Sequence, residues 1–165
     1  MKIMIFTEGT IIMHKSGVGQ SREQRVRQVK DGDPSIHDYP SYVPIGDAVK
    51  KLLLWKNQGA GIVYLTSRRD DQEVNDIQAV LHRWGFPHGE LAYRRAGEEY
   101  KDIAERILPD VLIEDDCESI GGTEEMTVTH MNPRLKAKII SLPVREFGGI
   151  DHLENDVSMI LQNKK

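Results

Sequence analysis

Short apolar runs punctuate this chain at residues 3–6, 62–65, 111–113 and 138–142, and several of their members are β-branched. Runs of that length without strict alternation read as strands buried on both faces of a parallel sheet. Residues 91–93 form a weaker run of the same kind. Between the runs, apolar positions recur at helical spacing. Ile45, Val49, Leu52, Leu53 and Lys56 share one helical face, and Gly59 supplies a C-terminal stop. Val74, Ile77, Leu81 and Trp84 repeat the pattern up to Gly85, and Tyr100, Ile103, Ala104 and Ile107 do so before Pro109. Leu153, Val157, Ile160 and Leu161 predict a last helix packed on the sheet. Alternating strands and helices predict an α/β fold: a doubly wound (Rossmann-like) parallel five-stranded sheet with helices on both faces.

Residues 11–44 break this alternation. The segment is polar, holds three of the seven prolines, and carries Lys15, Arg22, Arg25, Arg27 and Lys30 ahead of an Asp31-Gly32-Asp33-Pro34 turn. It predicts a small flap-like insertion in a single domain spanning residues 1–165. At 39% hydrophobic residues the chain has enough apolar surface for a true core. A net charge of −4, from 22 basic and 26 acidic residues, gives no overall attraction to nucleic acid or to an anionic membrane. No apolar stretch approaches the ~20 residues needed to cross a bilayer, and the first run is too short for a secretion signal. The one cysteine, Cys117, cannot form an internal disulfide and fits a reducing, cytoplasmic setting. The six histidines show no metal-ligand spacing.

Ligands of doubly wound sheets sit beyond the carboxyl ends of the strands, so the residues following each run are the candidate chemistry. Thr7, Glu8, Gly9 and Thr10 follow the first run, and Thr66, Ser67 and Arg68 the second. Arg94 and Arg95 follow the weaker run, with Lys101 in the first turn of the next helix; Glu114, Asp115 and Asp116 follow the fourth. Structural roles compete with functional ones. Thr66 and Ser67 suit the N-cap of a helix beginning at Arg68, and Lys101 suits a solvated helix face. Asp115 beside Asp116 is harder to explain structurally, because adjacent carboxylates repel unless a cation or hydrogen-bond donors offset them. Gly148 and Gly149 precede an expected helix start, as a cap or an anion nest.

In order and spacing, these groups over residues 2–120 resemble the four motifs of the haloacid dehalogenase-like (HAD) phosphatases. Lys2 to Thr10 is similar to the first of them, a buried strand followed by Asp-x-Asp-Gly-Thr, with Phe6 at the nucleophile position and Glu8 at the acid/base position. The resemblance implies that Thr66, Ser67, Arg68 and Lys101 bind phosphate. It further implies that Asp115, Asp116 and the backbone carbonyl of Glu8 hold Mg²⁺. Within the superfamily, residues 93–102 and the Ser67-Arg68 pair look most like the phosphatase domain of polynucleotide kinase.

The departure at Phe6 decides the expected chemistry. In such enzymes the aspartate attacks phosphorus and divides one difficult step into two, and a phenyl ring has no lone pair for that attack. Removing a nucleophile in a protease costs roughly 10⁶ in rate, or about 8 kcal/mol. The same aspartate ordinarily ligates magnesium, so the resemblance implies a weakened Mg²⁺ site. The expected protein is a catalytically impaired phosphatase homologue, with a phosphate- and Mg²⁺-binding crevice for a phosphorylated small molecule or nucleotide. Two alternatives stand beside it. One is an active Mg²⁺-dependent phosphohydrolase with a non-standard first motif and Glu8 as acid/base. The other is a partner-binding module whose insertion forms the interface.

Overall fold

The computed structural model describes residues 1–162, so the last three residues of the expected 1–165 domain lie outside the described residues. Its centre is strand β1 (Lys2–Phe6). Ile3, Met4 and Ile5 are fully buried, because β1 has a strand on each edge and helices on each face. β1 pairs in parallel with β4 (Gly61–Leu65) on one side and with β6 (Val111–Asp115) on the other. Beyond them lie β5 (Glu90–Ala92) and β7 (Ile140–Val144), giving five parallel strands in the order β5-β4-β1-β6-β7. The chain travels outward from β1 through β4 to β5, then crosses back to β6. The reversal places a crevice between the carboxyl ends of β1 and β6.

Strand alternation sends side chains to two separate cores. Ile3, Ile5, Ile62, Tyr64, Val111 and Ile113 face helices α2 (Ala48–Asn57) and α3 (Asp71–Arg83). Met4, Val63, Leu65 and Leu112 face α4 (Tyr100–Ile107) and α5 (Thr127–His130). The short α6 (Pro133–Lys136) leads into β7. The last helix, α7 (Val157–Gln162), adds Ile160 to the first core.

The segment between β1 and α2 builds its own small structure. β2 (Ile12–Met13) pairs antiparallel with β3 (Val43–Pro44), and the excursion between them contains α1 (Arg22–Lys30), whose Ser21 and Gln24 form a reciprocal capping box. Although its composition is polar, Ile11, Ile12, Tyr39 and Tyr42 join the first core. The basic run is partly consumed by these contacts. Arg22 donates to Glu118 at 2.7 Å and to the Glu146 carbonyl at 3.3 Å, and Arg25 donates to the Gly17 carbonyl at 2.9 Å.

Several boundaries differ from the sequence reading for identifiable reasons. β7 starts two residues later than expected, because α6 ends at Lys136 and Lys138 is exposed. The buried stripe of α2 is Ala48, Lys51, Leu52 and Trp55, and Leu53 points outward. Lys51 is buried because its ammonium donates at 2.6 Å to both the Leu153 carbonyl and Asn155 Oδ1; the Trp55 indole donates to the Glu154 carbonyl at 2.9 Å. These bonds hold residues 153–155 in a non-helical strap, so α7 begins only at Val157 and no helix starts directly after Gly149. Among the described residues no helix is long and apolar enough to cross a membrane.

The two leucines of α2 separate these registers. Leu52→Ala should cost about 2–5 kcal/mol by opening a cavity, whereas Leu53→Ala should stay within about 0.5 kcal/mol; urea unfolding of the two variants measures the difference.

Candidate functional site

The carboxyl ends of the central strands open on a cavity of about 330 Å³, whose lining includes Phe6, Glu8, Ser67, Arg68, Asp115 and Glu146. Phe6 closes β1 and, by alternation, shares the α4 side of the sheet with Met4. Its ring meets Tyr100 edge-on, with centroids 5.1 Å apart. The Arg94 guanidinium lies 3.8 Å from the Tyr100 ring centroid and donates to the Ser67 carbonyl at 3.4 Å. Burial lowers the Arg94 pKa from its ordinary value, and its Nε has no hydrogen-bond partner among the described residues.

The turn after β1 is tight. The Ile11 and Ile12 amides both donate to the Thr7 carbonyl, and the Gly9 amide donates back to the Ile12 carbonyl at 2.9 Å. Gly9 adopts φ +80°, and a Cβ there would stand 2.9 Å from Asp115 Oδ2. Two constraints therefore require glycine: the left-handed backbone, and the approach of this turn to the end of β6.

That turn aims Glu8 at the end of β4. Thr66 Oγ1 donates to Glu8 Oε1 at 2.6 Å, and the Ser67 amide donates to Glu8 Oε2 at 3.2 Å. Thr7 donates its hydroxyl to the same oxygen, and Arg68 Nε stands 3.6 Å from Oε1. Arg68 is itself held by the Ser67 hydroxyl, at 2.8 Å from Nη2, and by the Tyr39 hydroxyl and ring face from the insertion. Thr66 and Ser67 do not cap a helix starting at Arg68. α3 begins later, and Asp70 accepts from the Gln72 and Glu73 amides. The Thr66 hydroxyl instead accepts from the Arg68 amide at 3.1 Å while donating to Glu8.

The acidic side lies at the ends of β6 and β7. Carboxylate oxygens of Asp115, Asp116 and Glu146 all fall within 4.8 Å of one another. Asp115 accepts from the Thr10 hydroxyl and the Cys117 amide, each at 3.0 Å. Burial, with added repulsion from Glu146 and Asp116, pushes its carboxyl up to about 7. Glu146 is also raised, by burial first and then by Asp116 and Glu118, although the Ser119 amide and hydroxyl both donate to it at 2.6 Å. Asp116 Oδ1 accepts from the Glu146 amide at 3.1 Å. Glu114 has a structural partner: it accepts the Thr127 and Val128 amides at 2.8 and 3.0 Å and so caps α5 from within the core. Burial pushes the Cys117 thiol upward, which opposes thiolate formation.

Phe6, Glu8, Thr66, Ser67, Arg68, Asp115 and Asp116 thus meet around one crevice. Lys101 does not join them. Its ammonium pairs with Glu99 at 2.7 Å, on the exposed side of α4. Arg94 is the cation that reaches the cavity from that direction, and Glu146 is the third carboxylate. Glu146 stands two residues beyond β7, the same offset that separates Glu8 from the end of β1. A strand boundary placed two residues too early hides it from the sequence.

No known family model matches the chain, and no curated protein does. Solved structures do. Similarity is found to the class C acid phosphatase of Bacillus anthracis with tungstate bound, at TM-score 0.55 and 15% identity, covering 90% of this chain and 68% of that one. A chain of the Pnkp1/Rnl/Hen1 RNA repair complex gives TM-score 0.51 at 13% identity, covering 88% of this chain and 42% of that one. What is shared is the α/β fold, a five-stranded parallel Rossmann-like sheet with helices. At these identities the likeness concerns the fold, and the chain spans less than half of the matched chain in the RNA repair complex.

The turn after β1 offers a direct test of this geometry. Gly9→Ala places a Cβ against Asp115 in a left-handed backbone and should destabilise the protein by at least about 1 kcal/mol. Thermal unfolding checks it, and Gly19→Ala, at a positive φ with open space around it, isolates the backbone contribution.

Proposed function

We propose that the protein is a hydrolytically impaired relative of the HAD-like phosphatases whose crevice binds a phosphorylated small molecule or nucleotide. The observation that carries this reading is the placement of Phe6. An aromatic ring closes the central strand where the resemblance puts the attacking carboxylate, and it lines the same cavity as Ser67, Arg68 and Asp115. The anion-binding side consists of the Thr66 hydroxyl, the Ser67 amide and the Arg68 guanidinium, with Arg94 supplying the further cation in place of Lys101. Preorganised donors of this kind recognise phosphate oxygens. The Bacillus anthracis acid phosphatase, similar in fold, has the oxyanion tungstate bound, which supports an oxyanion as ligand.

The donor set also fits a hard divalent cation. Asp115, Asp116 and Glu146 present carboxylate oxygens close together, and a cation would offset both the burial and the repulsion that raise Asp115. Those three, with the Glu8 carbonyl, would hold Mg²⁺. When bound, the ion would neutralise charge on a phosphate. A second reading, a phosphohydrolase with Glu8 as acid/base, is favoured by this three-carboxylate cluster. Against it stands the engagement of the Glu8 carboxylate with Thr66, Ser67 and Arg68.

Three measurements test these readings. With Mg²⁺ and a panel of phosphomonoesters, turnover should not exceed that of Asp115→Asn; turnover abolished by Asp115→Asn and by Glu8→Gln would establish the phosphohydrolase instead. A bound nucleotide at 100 times its dissociation constant should raise stability by about 2.7 kcal/mol, read as a thermal shift. Restoring the motif with Phe6→Asp and Glu8→Asp should tighten Mg²⁺ binding in calorimetry; unchanged affinity would mean that Phe6 does not occupy the ligand position.

A further inference from the structure

The donors that the proposed reading gives to phosphate already hold an anion. Both oxygens of Glu8 are engaged: Oε1 accepts the Thr66 hydroxyl at 2.6 Å with Arg68 Nε at 3.6 Å, and Oε2 accepts the Ser67 amide at 3.2 Å and the Thr7 hydroxyl. The Glu8 side chain is 13% exposed. A hydroxyl, a backbone amide and a guanidinium converging on one planar group form an oxyanion seat, and here the occupant belongs to the chain itself. The occupant is specific to glutamate. The motif that this turn resembles has aspartate here, one methylene shorter, and a carbon–carbon bond of about 1.5 Å is half the length of a hydrogen bond. Aspartate on the same turn would leave the Thr66 and Ser67 donors free.

We infer that Glu8 is a tethered competitor for the phosphate seat, so that a ligand's phosphate enters by displacing the Glu8 carboxylate. This rests on the reading of Thr66, Ser67 and Arg68 as a phosphate site. A tethered group competes at a local concentration on the order of millimolar or more, whatever the free ligand concentration. Inorganic phosphate, which has only the seat to offer, is therefore held weakly. An organic phosphate gains further contact from the cavity beyond, where Phe6 and Tyr100 present aromatic surface, and so has the means to displace Glu8. Glu8 in this view sets selectivity: it discriminates against the bare ion and in favour of its esters.

The test is calorimetric binding of inorganic phosphate to the wild-type chain and to Glu8→Ala, Glu8→Asp and Glu8→Ala/Thr66→Val, with circular dichroism confirming that each is folded. Both Glu8→Ala and Glu8→Asp should bind phosphate at least tenfold more tightly than wild type, and Thr66→Val should cancel the gain. Glu8→Asp keeps the charge and loses the reach, so it separates occupancy from simple repulsion. If Glu8→Ala gains affinity and Glu8→Asp does not, charge rather than occupancy governs the seat and the inference falls. If wild type binds phosphate through Thr66 as tightly as Glu8→Ala does, the inference falls while the phosphate-site reading stands. If none of the folded variants binds phosphate, that reading falls and takes the inference with it.

Discussion

The burial of β1 on both edges and both faces is the constraint on which the rest of the molecule depends. A strand flanked by β4 and β6 has no freedom to shift register, since a slip of one residue would exchange Ile3 and Ile5 with Met4 and Phe6 between two differently shaped cores. The end of β1 is therefore fixed, and so is the turn that follows. That turn must leave between the ends of β4 and β6, which brings Glu8 to Thr66 on one side and Gly9 to Asp115 on the other. The crevice is a consequence of where the central strand stops.

Charge is distributed across the crevice in an ordered way. Arg68 and Arg94 stand on the β4–β5 side, and Asp115, Asp116 and Glu146 on the β6–β7 side. Glu8 lies between them and turns toward Arg68. The insertion reinforces both halves: Tyr39 supports Arg68, while Arg22 binds the loop carrying Glu118 and the backbone of Glu146. A segment that looks like a polar excursion in sequence thus acts as a brace, because a few apolar residues anchor it and Arg22 and Arg25 are spent on specific acceptors.

The parallel sheet was legible because its strands are buried on both faces and carry an uninterrupted apolar signal. The convergence of Thr66, Ser67, Arg68, Asp115 and Asp116 was legible for the same reason, since strand ends can be placed when strands can. Where the signal weakens, the reading slips. The run at 138–142 begins with an exposed lysine, and the resulting two-residue error concealed Glu146. Lys101 stands at a position that a linear motif favours, yet local pairing with Glu99 in the same first turn holds it at the surface. Arg94 carries no motif; its place depends on stacking against Tyr100, a contact that spacing alone does not specify. The tail is similar. The strap at 153–155 is held by Lys51 and Trp55, two helix residues whose polar ends are satisfied only in three dimensions.

The two departures from the resembled motif stand two residues apart and line the same cavity. Phenylalanine at the end of β1 removes an anionic, nucleophilic group and replaces it with a ring that packs on Tyr100. Glutamate two residues later keeps the charge of the motif's second aspartate and carries it one methylene further, to the donors at the end of β4. With a ring at Phe6, Glu8 is the carboxylate that meets this side of the crevice, and its longer side chain brings it to the Thr66 hydroxyl, the Ser67 amide and the Arg68 guanidinium. The result is an arrangement in which Thr66, the Ser67 amide and Arg68 are engaged from within the chain, while Arg94 Nε has no partner among the described residues. Phe6 and Glu8 are therefore best understood together: on the proposed reading the ring stands where the attacking group would be, and the glutamate occupies the donors beside it.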